Sequence, residues 1–262
     1  MSGPVGLVAG AGSLPRELAR RIRAAGRRVV CVQVQGDSSG LAELCDRHER
    51  FPLARALEAL SVLQQEGVRE LVLAGKVDKL DALRAARGML VQLGEGSDGR
   101  DPELWQVLCR FLEGRGFRVL APAAFLHDLV AREGVLAGRP PTAREREDLA
   151  LGFRVAKQVA AAGIGQAVAV RDGVVLAVEA AEGTDEMVRR CAAFGPGAVV
   201  VKVAWPQQDA RFDPPVVGPG TLQAMAEAGA AALGVEAGAA LLLGPEEVAR
   251  QAEELGISVV GL

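Results

Sequence analysis

The sequence predicts an α/β protein in two domains, and three observations predict it. From Val5 onward, short runs that are apolar throughout alternate with segments of helical periodicity. The 262 residues include 32 glycines, are 50% hydrophobic and only 3% aromatic, and contain no Tyr, a composition suited to close contacts between helices and sheets. In the second half, Asp172-Gly173 separates two β-rich runs, the signature of a tight hairpin and therefore of an antiparallel strand pair. A chain of this length buries about 70–75% of its extended surface and needs no staple.

In the first half, Val5 to Ala9, Val29 to Val34, Leu71 to Ala74 and Arg118 to Leu120 read as strands. Leu14, Leu18 and Ile22, and then Leu53, Leu57, Leu60 and Leu63, recur at spacings of three and four and mark one buried helix face each. Strands that are apolar throughout are covered on both faces, which implies a parallel, Rossmann-like sheet with helices on either side. Gly134, Gly138, Pro140 and Pro141 among charged residues read as a linker. The expected organisation is an N-terminal Rossmann-like α/β domain over 1–132, a linker over 133–145, and a C-terminal α/β catalytic domain with a mixed sheet over 146–262. The second half is read as a helix over about Ala143 to Ala162, the hairpin, a helix from Thr184, a strand over Ala198 to Val203, a helix from Thr221, a strand near Ala239 to Leu243, a helix from Pro245 and a strand over Ile257 to Val260.

With 30 Lys and Arg against 33 Asp and Glu, the net charge is -3, and the basic residues mix with Glu on helix faces. No clustered basic footprint with stacking aromatics exists, so nucleic acid is not an expected partner. Cys31, Cys45, Cys109 and Cys191 show no C-x-x-C spacing, and three of them lie in apolar runs, as reduced thiols packed like small hydrophobes do. His48 and His127 are far apart in the sequence, against a zinc site. No run approaches the ~20 apolar residues that span a bilayer, and no leader is recognised, so the expected location is cytoplasmic, at most on a membrane surface.

Candidate chemistry gathers in a few places. Gly10-Ala11-Gly12-Ser13 follows a strand and opens a helix, but Pro15 stands where a dinucleotide fingerprint needs its third glycine. What survives is either an anion contact at a helix N-terminus, with Ser13 as a cap, or a structural turn. Lys76 ends a strand on the carboxyl edge of the sheet, as a phosphate contact or a solvated lysine. Asp101 reads as the N-cap of a helix from Pro102. Gly183-Thr184-Asp185 is either a helix cap, with Thr184 accepting from the backbone, or part of an acidic cluster with Glu179 and Glu182. Lys202 ends an apolar strand and could meet a ligand's negative charge. Asp213, held between Phe212 and Pro214-Pro215-Val216-Val217-Gly218-Pro219-Gly220, is either a local helix cap or a pre-aimed carboxylate able to hold Mg²⁺ with a phosphate. The residues alone support a metal-assisted phosphoryl enzyme. The rivals are an NAD(P) oxidoreductase, for which Gln35 and Asp37 would compete as the acidic end of the second strand, and a non-catalytic nucleotide-sugar or lipid binder.

Gly6-Leu7-Val8-Ala9-Gly10-Ala11-Gly12-Ser13-Leu14-Pro15, Leu73-Ala74-Gly75-Lys76-Val77, Ala177 to Asp185, Lys202 and Asp213 to Gly218, in this order and over nearly the whole chain, resemble the LpxI family. Those proteins are UDP-2,3-diacylglucosamine pyrophosphatases of lipid A biosynthesis. The resemblance implies Mg²⁺-dependent hydrolysis of a UDP-linked diacyl amino sugar to UMP and 2,3-diacylglucosamine 1-phosphate, called lipid X, at a site between two domains. It implies that Asp213 is the catalytic residue and metal ligand. It further implies that Gly10, Gly12, Ser13, Leu14, Lys76, Gly183, Thr184, Asp185 and Lys202 meet the substrate. Transient contact with the inner face of the inner membrane and a homo-oligomer are compatible with it.

Overall fold

A computed structural model describes residues 3–36, 40–78, 81, 108–206, 209, 211 and 214–262. They fall into two compact units, one within Met1–His127 and Asp209–Asp213, the other within Asp128–Gln208 and Pro214–Leu262.

The first unit is built on a parallel sheet in the order β3-β2-β1-β4-β5, formed by β1 (Val5–Ala9), β2 (Val29–Gln33), β3 (Arg47–Arg50), β4 (Glu70–Ala74) and β5 (Arg118–Leu120). Helix α1 (Leu14–Ala24) packs on β1 and β2 and buries Leu14, Leu18 and Ile22, the predicted stripe. Alternate residues Val30, Val32, Leu71 and Leu73 pack instead with Leu60 and Leu63 of α2 (Ala56–Gln65) and with Phe111 and Leu112 of the helical residues 108–113. Both faces are thus covered, as uniformly apolar strands require. The order, with β1 central, is that of a doubly wound sheet. A short α3 (Ala123–Leu126) closes the unit.

The second unit carries a mixed sheet in the order β6-β13-β11-β9-β7-β8. Its strands are β6 (Gly134–Ala137), β7 (Ala167–Arg171), β8 (Val174–Val178), β9 (Val199–Lys202), β11 (Ala232–Val235) and β13 (Ser258–Gly261). The pairs β13-β11 and β11-β9 are parallel, and β6, β7 and β8 add antiparallel pairs. Helix α4 (Ala143–Ala161) covers one face with Leu149, Ala156 and Ala160 against Val168, Val199, Val201 and Val260. The other face packs on Met187 and Val188 of α5 (Thr184–Arg190), Leu222 and Met225 of α6 (Pro219–Glu227), and Val248 and Ala252 of α7 (Pro245–Leu255). The two-residue strands β10 (Val216–Val217) and β12 (Leu241–Leu242) pair separately.

The hairpin forms as predicted. Asp172 and Gly173 both take positive φ, 54° and 77°, and their N–H groups donate to the buried Asp148 carboxylate at 2.8 Å each. Within the stretch read as a linker, Gly134–Ala137 forms a strand antiparallel to β13, which satisfies its backbone. The cysteines are free thiols, and Cys31, Cys109 and Cys191 are buried. Burial pushes the Cys109 thiol up to about 11, whereas donation from the Cys31 thiol lowers that of Cys45. No helix among the described residues is long and apolar enough to cross a membrane.

α4 begins with a capping box: Thr142 Oγ1 accepts from Glu145 N–H at 3.2 Å, and Glu145 accepts from Thr142 N–H at 2.7 Å. Arg139 adds a bidentate pair to the same carboxylate at 2.6 and 2.7 Å and, as the largest influence, holds its pKa below the usual range. Glu145→Ala is expected to destabilise the chain by about 1–2 kcal/mol, most of it from the cap, since Arg139 is partly exposed and screened. A depressed carboxylate contributes stability that is fully present above its unfolded pKa of about 4.3 and is lost as pH falls through the lower folded value. The gap between wild type and Glu145→Ala in urea unfolding is therefore expected to be wide at neutral pH and to narrow below about pH 4.

Candidate active site

In the first unit the end of β1 is laced to the end of β4. Gly10 N–H donates to Ala74 C=O, Ala11 N–H to Lys76 C=O and Lys76 N–H to Ala11 C=O, each at 2.8 Å. A Cβ on Gly10 would lie 2.4 Å from Lys76 O, and Gly75, at φ +97°, would bring one within 2.7 Å of Ala11 O. Gly10 is therefore glycine because two backbones touch there. Gly12 differs. It has φ +99° and no atom within 4 Å of its Cβ position, so its backbone is open to close approach.

Ser13 occupies the N-cap position of α1 and is exposed, but its side chain makes no capping bond, which corrects the expected cap. Its φ and ψ of -86° and -23° are already helical, whereas a capping side chain works from the extended region. Leu14 is buried in the core, so only its main chain could meet a ligand. Pro15, the residue that breaks the dinucleotide fingerprint, is also buried in the first turn. The Lys76 side chain is exposed beside this loop.

Sequence reasoning missed the support of this edge. Gln33 Nε2 donates to Gly36 C=O at 2.8 Å, His48 Nε2 lies 3.0 Å from Gln33 Oε1, and Arg50 also donates to Gly36 C=O. Burial, then the Arg50 charge, lowers the His48 pKa. Gln35, weighed for the end of the second strand in a dinucleotide-binding reading, accepts from Asp78 N–H at 2.7 Å. Asp37 and Asp101 lie outside the described residues.

In the second unit the expected acidic cluster is largely committed internally. Glu179 accepts from Gln166 N–H at 2.9 Å and from the Thr184 hydroxyl at 3.0 Å. Glu182 accepts from Arg190 at 2.6 Å, and its own N–H, ahead of the Arg190 charge, keeps its carboxyl below the usual range. Thr184 is the first helical residue of α5, buried and donating, and the N-cap position falls on Gly183 at φ +85°, so the reading of Thr184 as a cap is corrected. Glu179 has bound the hydroxyl that a capping role needs. Gly183 has nothing within 4 Å of its Cβ position, and Asp185 sits in the first turn of α5.

Lys202, the last residue of β9, is half-buried and donates through Nζ to Val216 C=O at 3.0 Å. Asp213 itself lies outside the described residues, but its surroundings along the chain do not. Downstream, Pro215 and Val217 carbonyls accept from Leu241 and Leu243 N–H at 2.8 and 2.9 Å, so the Pro-Gly run contains a strand where none was expected. α6 starts at Pro219 with Gly218 in the N-cap position, so that cap is not Asp213. Upstream, Arg211 pairs with Asp209 and, at 2.5 Å, with Glu113, and it holds the Asp209 carboxyl below its usual range.

Two family models match the chain in succession. The model for the LpxI N-terminal domain matches residues 4–129, and that for the LpxI C-terminal domain matches residues 132–260. A UDP-2,3-diacylglucosamine pyrophosphatase LpxI of Caulobacter vibrioides is 31% identical over 278 aligned residues, which cover 98% of this chain and 97% of that protein. Among solved structures, a biotin carboxylase domain of the Hydrogenobacter thermophilus 2-oxoglutarate carboxylase matches 74% of this chain and 40% of its own at 12% identity and TM-score 0.32. The N5-carboxyaminoimidazole ribonucleotide synthetase of Thermotoga maritima gives 68%, 41%, 12% and 0.27. This chain thus spans about two fifths of those proteins.

Proposed function

The chain belongs to the LpxI family, and from that premise we propose that it is a UDP-2,3-diacylglucosamine pyrophosphatase of lipid A biosynthesis. The observation that carries this reading is the likeness to a pyrophosphatase along both halves of the chain, nearly end to end in each protein. The reaction adds water across the phosphoanhydride, breaks one P–O bond, and releases UMP and 2,3-diacylglucosamine 1-phosphate.

Asp213 is proposed as the catalytic carboxylate and metal ligand, with Mg²⁺ as the cofactor. Among the described residues no three His, Cys, Asp or Glu side chains gather around a common point. The proposed metal site draws on the Asp213 carboxylate, pyrophosphate oxygens and water, a ligand set Mg²⁺ commonly takes. Bound there, the ion would neutralise charge developing on the pyrophosphate. The open backbone at Gly12, with the Ser13 and Leu14 N–H groups, suits an anion at the start of α1, and Lys76 suits a phosphate at the same edge. Gly10 contributes by letting that loop close on β4. Gly183, Thr184 and Asp185 are proposed to meet the substrate at the turn that Glu179 holds through the Thr184 hydroxyl. Lys202 is proposed to add positive charge while tying the chain beyond Asp213. A diacyl substrate also argues for contact with the inner face of the inner membrane.

Lys202→Ala is expected to lower kcat/KM by about 10- to 100-fold, because it removes both a charge and the Val216 tie. Steady-state kinetics on the folded variant check it. The reading as a whole is tested by incubating the chain with UDP-2,3-diacylglucosamine, with Mg²⁺ or with EDTA, and following products by phosphorus NMR. UMP and the diacylglucosamine 1-phosphate are expected with Mg²⁺ alone. Absence of UMP under every condition overturns the assignment.

A further inference from the structure

We propose that Gln33 is a positioning residue for the anion contact at Gly12: its buried amide holds Gly36 down on Ala11 and so fixes the backbone from which Gly12 opens. The role rests on the reading above that Gly12 and Ser13 meet a substrate phosphate. Gln33 ends β2 and is only 3% exposed, after a run of buried apolar residues from Val29 to Val32. Its Nε2 donates to Gly36 C=O at 2.8 Å, and its Oε1 lies 3.0 Å from His48 Nε2. Arg50, the residue opposite Gln33 in β3, donates through Nη2 to the same Gly36 carbonyl at 2.8 Å. One loop carbonyl is thus held from two strands. Because Arg50 is exposed and screened by water, the buried amide is the firmer of the two ties.

Gly36 takes φ +80°, and a Cβ built on it would lie 2.4 Å from Ala11 Cβ and 3.1 Å from Ala11 N. The turn after β2 therefore rests directly on Ala11. That turn is tied further, since Val34 N–H donates to Ala9 C=O at 2.8 Å and Gln35 Oε1 accepts from Asp78 N–H at 2.7 Å. Ala11 in turn has its own N–H and C=O taken by Lys76. It is held from β4 through its main chain and from β2 by contact, while the next residue, Gly12, has nothing within 4 Å of its Cβ position. An open backbone beside a fixed residue is preorganised. An anion there meets N–H groups whose direction is set before it arrives, without the cost of ordering the loop. An apolar side chain at position 33 could fill the same space at the strand end, but it would leave Gly36 to Arg50 alone.

The test compares wild type with Gln33→Met, Arg50→Met, the double variant and Gly36→Ala in the full chain. It reads the Gly12 and Ser13 amide signals by NMR during titration with UDP, thermal melting, and steady-state kinetics on UDP-2,3-diacylglucosamine with Mg²⁺. In wild type both amides are expected to shift with UDP. Gln33→Met, which keeps the length and removes the donor, is expected to weaken the affinity read at those amides and to raise KM, each at least about fivefold, with kcat changed less than about twofold. Gly36→Ala leaves Gln33 intact but drives a methyl group into Ala11, and is expected to raise KM in the same way. Because Gln33 and Arg50 act on one carbonyl, their effects on KM are expected to be non-additive in the double variant. Should Gln33→Met not fold, Arg50→Met and Gly36→Ala carry the same comparison. Folded variants whose UDP affinity and KM match wild type overturn the positioning role, and so does a loss confined to kcat. Gly12 and Ser13 amides that ignore UDP in wild type overturn the anion contact and this role with it. A wild type that answers UDP but releases no UMP from UDP-2,3-diacylglucosamine defeats the proposed function alone, and the UDP titrations still decide the role of Gln33.

Discussion

Asp213→Ala is expected to reduce turnover of UDP-2,3-diacylglucosamine at least about a thousandfold, equivalent to about 4 kcal/mol in the barrier, while leaving the fold intact. The loss should appear in kcat, because a metal-holding carboxylate acts on charge that develops during the reaction and not on ground-state binding. Stability should barely move. Ala204 upstream and Pro215 to Val217 downstream have hydrogen bonds that do not involve residue 213. Asp213→Asn separates charge from shape: it preserves size and an acceptor oxygen but holds a divalent ion weakly, and is expected to fall nearly as far. Kinetics over a Mg²⁺ titration, with melting curves for each variant, check these outcomes. A folded Asp213→Ala chain with near-normal turnover would remove the aspartate from the mechanism.

Gly10→Ala is expected to have the largest effect on stability, about 2–4 kcal/mol, read as a lower urea midpoint for the first unit. The new methyl group would sit 2.4 Å from Lys76 O and 3.0 Å from Gly75 C, and these are backbone atoms with no rotamer to turn away. Relieving the clash must part the β1 and β4 loops, breaking the two reciprocal Ala11–Lys76 bonds, each worth about 1 kcal/mol, and adding strain. Gly12→Ala provides the contrast. It meets no neighbour but must hold φ +99°, at a backbone cost of about 1–3 kcal/mol. If the Gly12 backbone touches a phosphate, this variant should lose more activity than its melting curve explains. Equal stability of Gly10→Ala and wild type would contradict the laced-loop account.

Much of the architecture was legible in the chain. The stripe Leu14, Leu18, Ile22 placed α1, the uniformly apolar strands announced a parallel sheet, and Asp172-Gly173 announced the hairpin. Strand β11, central in the second sheet, was not recognised: Ala231 to Val235 follows a helix and is rich in Ala, so locally it reads as more helix. Hydrogen bonding to both β9 and β13 overrides that preference. Arg47–Arg50 was missed for the opposite reason. As an edge strand paired only to β2, it can carry charge where a central strand cannot.

The site divides along the same line. By itself the sequence determined the Pro-Gly confinement of Asp213, the small residues after β1, the lysines at two strand ends and the likeness to LpxI proteins, because each is a property of neighbours along the chain. Only the tertiary structure decided that Gly10 serves backbone contact while Gly12 stays open, that Glu179 is spent on Gln166 and Thr184, and that Gln33 and Arg50 meet at the Gly36 carbonyl. On its own, Gln33 reads as the polar end of an apolar strand and Arg50 as a solvated surface charge. Their meeting exists because β3 pairs alongside β2 in a register that sets the two residues opposite each other, which brings both donors to one backbone carbonyl.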